Sequence, residues 1–132
     1  MSPKELVERF YSAIWNEGDE KAAYGLLDPD FVFRGSLGAE RRGIEGFLDY
    51  VRSIRAALAD YKCVIEDLVV AEDRAAARMT FSGRHRVRLL GAEPTGNFVS
   101  WAGAAFFKTK DGRILDLWVL GDLDALKRQL RG

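Results

Sequence analysis

Up to Leu58 the apolar residues recur at helical spacing, and beyond it they fall at every second position, so helices are expected first and a sheet afterwards. Leu6, Phe10 and Ile14, with Val7 and Tyr11, form one stripe behind a helix start built from Ser2 as cap, Pro3, and Glu5 three residues after the cap. Asn16-Glu17-Gly18-Asp19 closes that helix, and Asp19 caps a second one in which Ala22, Ala23, Leu26 and Leu27 repeat the pattern. Asp28-Pro29-Asp30 breaks the periodicity. Phe31 to Arg34 then reads as a short strand, followed by a loop through Gly35, Gly38 and Gly43. In the third helix Ile44, Phe47, Leu48, Val51, Ile54 and Leu58 face the core and Glu45, Asp49, Arg52 and Arg55 face water.

From Tyr61 the alternation predicts strands over 61–71, 75–88, 98–109 and 113–121. Tight turns at Glu72-Asp73-Arg74 and Lys110-Asp111-Gly112 make hairpins, and Gly91 to Gly96 forms a longer loop, so the sheet is expected to be antiparallel. A final helix, Leu123 to Leu130, carries Leu123, Leu126 and Leu130 on one face and covers an edge or end of the sheet. Helices followed by a long meander define the α+β class: a curved antiparallel sheet packed against N-terminal helices and enclosing a pocket. Residues 1–132 form a single domain, a size that buries a core without disulfide or metal support.

Composition narrows the partners. Lys plus Arg and Asp plus Glu each number 20, so the net charge is zero and nothing draws the chain to nucleic acid or to an anionic membrane. The start of the chain lacks the apolar stretch of a signal peptide and no run is long enough to span a bilayer, which points to the cytoplasm. With Cys63 the sole cysteine and His85 the sole histidine, neither a disulfide nor a His/Cys metal site is expected. Cys63 reads as a buried, inert thiol on a strand.

Two positions, His85 and Asp122, carry candidate acid/base chemistry. On strand 75–88, Ala77, Met79, Phe81, Gly83, His85 and Val87 share one face, opposite Arg78, Arg84, Arg86 and Arg88; the arginine face is solvated or meets a second subunit. His85 thus points inward, either as a hydrogen-bonded core histidine or as a proton carrier beside a cavity. On the last strand Ile114, Asp116, Trp118 and Leu120 share a face. Asp122 stands at its tip, where a poorly solvated carboxylate would serve as acid or base, and equally where it would cap the following helix. Tyr11, Trp15, Phe33, Phe81, Trp101 and Trp118 are the candidate substrate-binding residues of the pocket.

The order of motifs in the second half resembles the SnoaL-like polyketide cyclases of the nuclear transport factor 2-like superfamily. The carriers are Glu72-Asp73, then Arg78-Met79-Thr80 with Gly83-Arg84-His85, the loop with Gly91 and Pro94-Thr95-Gly96, and Asp111-Gly112-Arg113-Ile114 followed by Asp116, Trp118, Asp122 and Gln129-Leu130. In the first half Phe10-Tyr11, Trp15-Asn16 and Gly18-Asp19 look like the family's first helix and its turn. The resemblance implies a cone-shaped fold, often dimeric, in which characterised members close a polyketide ring by intramolecular aldol condensation without metal or organic cofactor. It also implies that the family's acid/base aspartate maps onto Asp122 and its strand histidine onto His85. The chain departs from the pattern at Arg84, at Glu93 in place of a proline, and at Arg34. Two function classes follow: a cyclase, isomerase or hydratase acting on an apolar carbonyl compound, or a non-catalytic carrier of an apolar small molecule.

Overall fold

The computed structural model describes residues 1–131. Helix α1 (Pro3–Arg9) starts on the expected capping box, with Ser2 Oγ accepting from the Glu5 amide and the Glu5 carboxylate accepting from the Ser2 amide. It then widens into a π-helical segment over Phe10–Asn16, in which the Glu17 amide reaches back to the Ser12 carbonyl at 3.2 Å. The wider turn buries Phe10, Tyr11, Ala13, Ile14 and Trp15 together, more than one face of an α-helix would allow. Periodicity in the sequence does not distinguish the two helix types.

After α2 (Glu20–Leu26) come β1 (Leu27–Arg34), β2 (Glu40–Arg42), α3 (Gly43–Ala57), β3 (Leu58–Ala71), β4 (Arg74–His85), β5 (Phe98–Lys110), β6 (Arg113–Gly121) and α4 (Leu123–Leu130). The six strands form one sheet in the order β2-β1-β6-β5-β4-β3. Every pair is antiparallel except β1 with β6, which run parallel and correct the expectation of a purely antiparallel sheet. Asp28-Pro29-Asp30 does not stop the strand. It lies inside β1 where the pairing with β6 shifts register, a place that tolerates a residue with no N–H to give. The third helix yields to β3 at Leu58, three residues earlier than expected, and Asp60 takes φ 55° there. Strand β4 ends at His85 rather than 88, and β2 is a short strand that the glycine-rich pattern concealed.

Register shifts in β3–β4, β5–β6 and β1–β6 bend the sheet around the helices. Phe10, Phe31 and Phe47 are fully buried between the layers, with ring centroids 5.3 to 6.5 Å apart. Each contributes roughly 1.5–3 kcal/mol by leaving water. The alternation on β4 is realised, with Ala77, Met79, Phe81 and His85 buried. On β6 a bulge displaces it: Asp116 pairs with Lys108 and Ile114 with Thr109, which leaves Leu115 extra. Ile114, Leu117 and Val119 therefore point inward, while Asp116, Trp118 and Leu120 point outward. Helix α4 packs against β5, an interior strand, where Gln129 bonds both the amide and the carbonyl of Ser100 at 2.8 and 2.7 Å.

Candidate ligand cavity

Between the concave sheet and the helices lies one aromatic-walled cavity. The helical layer supplies Phe10, Tyr11 and Trp15, and α3 adds Tyr50 and Ile54. The sheet supplies Phe33, Tyr61, Cys63, Phe81, Trp101 and, from β6, Leu117 and Val119. Ser36 and Leu37, from the loop between β1 and β2, close one side. Counted to the atom surfaces and through its mouth, the space is about 350 Å³, but the centre of a water molecule can move through only about 20 Å³ of it. A cavity needs roughly 10–15 Å³ by that measure to hold one water, so the resting state admits little more than one.

Two glycines set this geometry. At Gly103 a Cβ would lie 2.4 Å from Phe81 Cε2, so the bare backbone of β5 lets the Phe81 ring lie across it into the cavity. At Gly121 a Cβ would lie 2.8 Å from the Ser36 carbonyl oxygen and 3.1 Å from Trp101 Nε1, so the β1–β2 loop seats directly on the end of β6 beside the indole nitrogen.

The polar groups of the wall are neutral. Burial pushes the Tyr11 and Tyr61 phenols well above the ordinary tyrosine value and Tyr50 up to about 12. The Cys63 thiol is likewise pushed well up, chiefly by burial, and it bonds the Tyr61 hydroxyl. All four stay protonated near neutral pH and are available as donors. Tyr11 Oη and Trp101 Nε1 are buried and have no hydrogen-bond partner among the described residues. A buried donor left unpaired costs about 1–3 kcal/mol, a cost that a ligand acceptor would remove.

Five of the sequence-derived binding residues, Tyr11, Trp15, Phe33, Phe81 and Trp101, meet on this wall. Trp118 does not. The β6 bulge turns it to the outer face, 42% exposed, where the Arg34 guanidinium stacks on it at 5.1 Å. Asp122 is exposed and caps α4, its Oδ1 accepting from the Ala125 amide at 3.1 Å. His85 is fully buried at the far end of β4. Its Nδ1 accepts from the Thr95 amide at 3.2 Å and lies 3.0 Å from Thr95 Oγ1, so the proton sits on Nε2, which has no partner among the described residues. Neither residue lines the cavity.

Nor do the two stand together. The His85 amide bonds Asn97 and the Asp122 amide bonds Ala102, five residues apart along one chain segment, or roughly 16 Å of extended backbone. The sequence pattern does not single out Tyr50, Tyr61 and Cys63 for the wall. Tyr61 and Cys63 alternate on a strand whose inward phase could have marked them, whereas Tyr50 fell between the stripe positions of α3.

The curved sheet and the helices thus enclose an apolar hollow with hydrogen-bond donors in its wall, on an α+β scaffold. The chain belongs to the SnoaL-like polyketide cyclase family, whose profile matches residues 5–130. Among solved structures it is similar to TsrD from Streptomyces laurentii, at 36% identity and TM-score 0.85 over 96% of this chain and 92% of that one. It is similar also to IdmH from Streptomyces antibioticus, itself a proposed polyketide cyclase, at 25% identity and TM-score 0.86 over the full length of both. A SnoaL-like polyketide cyclase from Agrobacterium tumefaciens shares the fold at 20% identity, TM-score 0.84 and 98% of each chain. A comparison with curated protein sequences returns no match.

Proposed function

We propose that this chain is a cyclase-type enzyme that works by acid/base catalysis on an apolar carbonyl compound held in the aromatic cavity, as a homodimer. The observation that carries the proposal is the pair of buried, unpartnered donors in that wall, Tyr11 Oη and Trp101 Nε1. A carbonyl oxygen set against them gains negative charge as its α-proton leaves, and fixed donors in a dry site favour that charge. The apolar walls fold the substrate so that the resulting enolate and the acceptor carbonyl meet.

The base in this reading is Asp122. It directly follows Gly121, the residue at which any side chain would run into Trp101 Nε1, so the carboxylate stands one position along the chain from a contact of the cavity wall. One of its oxygens is engaged by the Ala125 amide, and the other is free to take a proton. His85 acts through position, holding the Thr95 loop at the end of β4.

A second reading, a non-catalytic carrier, is favoured by a specific observation: no carboxylate or imidazole stands among the described residues that line the cavity. Exchange of the α-protons of 1-indanone for deuterium, followed by NMR in heavy water, separates the two. The enzyme reading expects accelerated exchange, lost about 100-fold or more in Asp122→Asn. It expects a loss of about tenfold in Tyr11→Phe, one hydrogen bond's worth. Binding of 1-indanone without any acceleration in the unmodified protein would establish the carrier.

A further inference from the structure

Arg34 is one of the positions at which the chain departs from the family pattern, and the proposed chemistry makes no use of it. It ends β1 on the outer face of the sheet, next to Phe33, which faces the cavity. Its guanidinium stacks on the Trp118 ring at 5.1 Å, and its Nη1 donates to the Val119 carbonyl of β6 and to the Gly35 carbonyl at 3.4 Å. Glu40 and Asp116 line the same outer groove, yet among the described residues no carboxylate lies within ion-pair distance of it. A half-buried cation met by carbonyls and an indole, rather than by an acid, fixes backbone. A planar guanidinium suits that task because it bonds and stacks at once.

What Arg34 fixes is the root of the loop that closes the cavity. The Gly35 amide bonds the Ala39 carbonyl at 2.8 Å and the Gly38 amide bonds the Gly35 carbonyl at 2.9 Å, so residues 35–39 fold on themselves as one flap. Ser36 and Leu37 of that flap line the cavity, and among the described residues they alone of its lining stand on neither helix nor strand. Among the described residues, the bond from Arg34 to Gly35 is the only hydrogen bond that ties the flap to anything outside it. On the inner side the place of a Gly35 side chain is taken by the Phe33 ring, 2.9 Å from where a Cβ would stand, and by the Tyr50 hydroxyl at 3.1 Å. The root is thus held by the cavity wall on one face and by Arg34 on the other.

In the resting hollow the centre of a water molecule moves through only about 20 Å³, so a guest larger than water enters when part of the wall withdraws. Helices and strands withdraw at the cost of core packing, whereas the flap withdraws by breaking one hydrogen bond and lifting Leu37. We infer that Arg34 is a positioning residue that governs how often the cavity opens, holding the 35–39 flap shut from the outer face of the sheet. This deepens the proposed function and rests on the cavity being the site a guest enters; it adds the entrance and the residue that controls it. Arg34 holds the flap whether or not a guest lies beneath, so its loss speeds entry and exit together and leaves affinity alone.

Amide exchange with water, resolved residue by residue by NMR on isotope-labelled protein, tests this without a ligand. In Arg34→Met the Gly35 and Gly38 amides should exchange about tenfold faster, the worth of one hydrogen bond. The Cys63 amide, bonded at 2.7 Å at the opposite edge of the sheet, and the Thr109 amide, bonded to Asp73 at 2.8 Å, should keep their rates. Arg34→Lys keeps the charge and a donor but not the planar stack; it should lie between, and it serves in place of a Met variant that fails to fold. Stopped-flow mixing with 1-indanone, read by tryptophan fluorescence, should show association and dissociation both about tenfold faster in Arg34→Met, at an unchanged dissociation constant. Unchanged exchange at Gly35 and Gly38, or equal acceleration of all four amides, would overturn the role of Arg34, the latter marking a residue of general stability. Faster flap exchange with unchanged 1-indanone rates would overturn the flap as the entrance. No binding of 1-indanone by the parent would count against the proposed function, while the exchange rates alone still decide whether Arg34 holds the flap.

Discussion

At the scale of single residues, Asn16 ties the π-helical segment to the sheet. Its Nδ2 donates to the Cys63 carbonyl at 3.0 Å and its Oδ1 accepts from the Cys63 amide at 2.7 Å, so one side chain imitates a neighbouring strand at the open edge of β3. That edge carries Tyr61 and Cys63 into the cavity wall. Asn16→Ala leaves a partly buried amide and carbonyl without partners and should lower stability by about 2 kcal/mol, read from urea denaturation. Asn16→Asp keeps the acceptor and loses the donor, and should fall between. An unchanged midpoint in Asn16→Ala would mean that water replaces the side chain at no cost. In the sequence Asn16 is legible only as part of a turn, because its partner lies 47 residues away and no local pattern joins them. The same holds for the cavity donors: Tyr11 and Trp101 read as aromatic and inward, but their unpaired state depends on every neighbour at once.

At the scale of elements, the loop between β1 and β2 closes one side of the cavity, and what it rests on holds it there. Gly121 leaves room for the Ser36 carbonyl and Trp101 Nε1 where any side chain would stand. Gly121→Ala should lift the loop, at a cost of about 1–3 kcal/mol if the backbone must shift. In a Trp118→Phe background, which removes the exposed indole, acrylamide should then quench the remaining tryptophans more efficiently than in the parent. Quenching that does not change would show that the loop is not the cavity's entrance. Trp118→Phe by itself should leave 1-indanone binding intact, since that side chain lies across the sheet from the cavity. Strict alternation had put Trp118 in the pocket. One bulged residue, Leu115, reverses the phase of the strand below it, and nothing in the local composition of Arg113 to Leu117 announces the bulge. The β4 faces are legible because both register shifts against β3 put their extra residues in β3, so alternation runs unbroken along β4 to His85.

For the whole molecule, the switch from helical to alternating periodicity made the α+β class readable, while the parallel β1–β6 contact was not, since it joins distant segments around a proline-interrupted strand. Phe106, Trp118 and Leu120 remain exposed on the outer face of the sheet, an apolar surface on which the proposed homodimer would form. Leu120→Glu, on a residue 52% exposed in the single chain, should shift a dimer to monomer in sedimentation velocity with little change in fold; a parent that sediments as a monomer would end the dimer proposal. High pH probes the whole structure through its phenols. In the unfolded chain a tyrosine ionises near 10, whereas Tyr50 in the fold is pushed up to about 12 and Tyr11 and Tyr61 also stand well above the ordinary value. Between those values the folded state holds protons that the unfolded state has lost. The phenols therefore leave stability unaffected below pH 10 and lower it as pH rises above that, by up to about 1.4 kcal/mol per pH unit for each group. The Cys63 thiol, raised in the same way, adds to the loss from a lower starting pH. Tyr24 lies exposed on α2, and although its hydrogen bond with Glu45 raises it above the ordinary value it ionises without unfolding anything. Phenolate absorbance should thus rise in two phases: one tyrosine gradually, then three together, coincident with loss of the far-UV circular dichroism signal. Smooth ionisation of all four with the secondary structure intact would mean that hydroxide reaches the wall of the folded protein, and that the cavity is not the dry enclosure that the proposed catalysis requires.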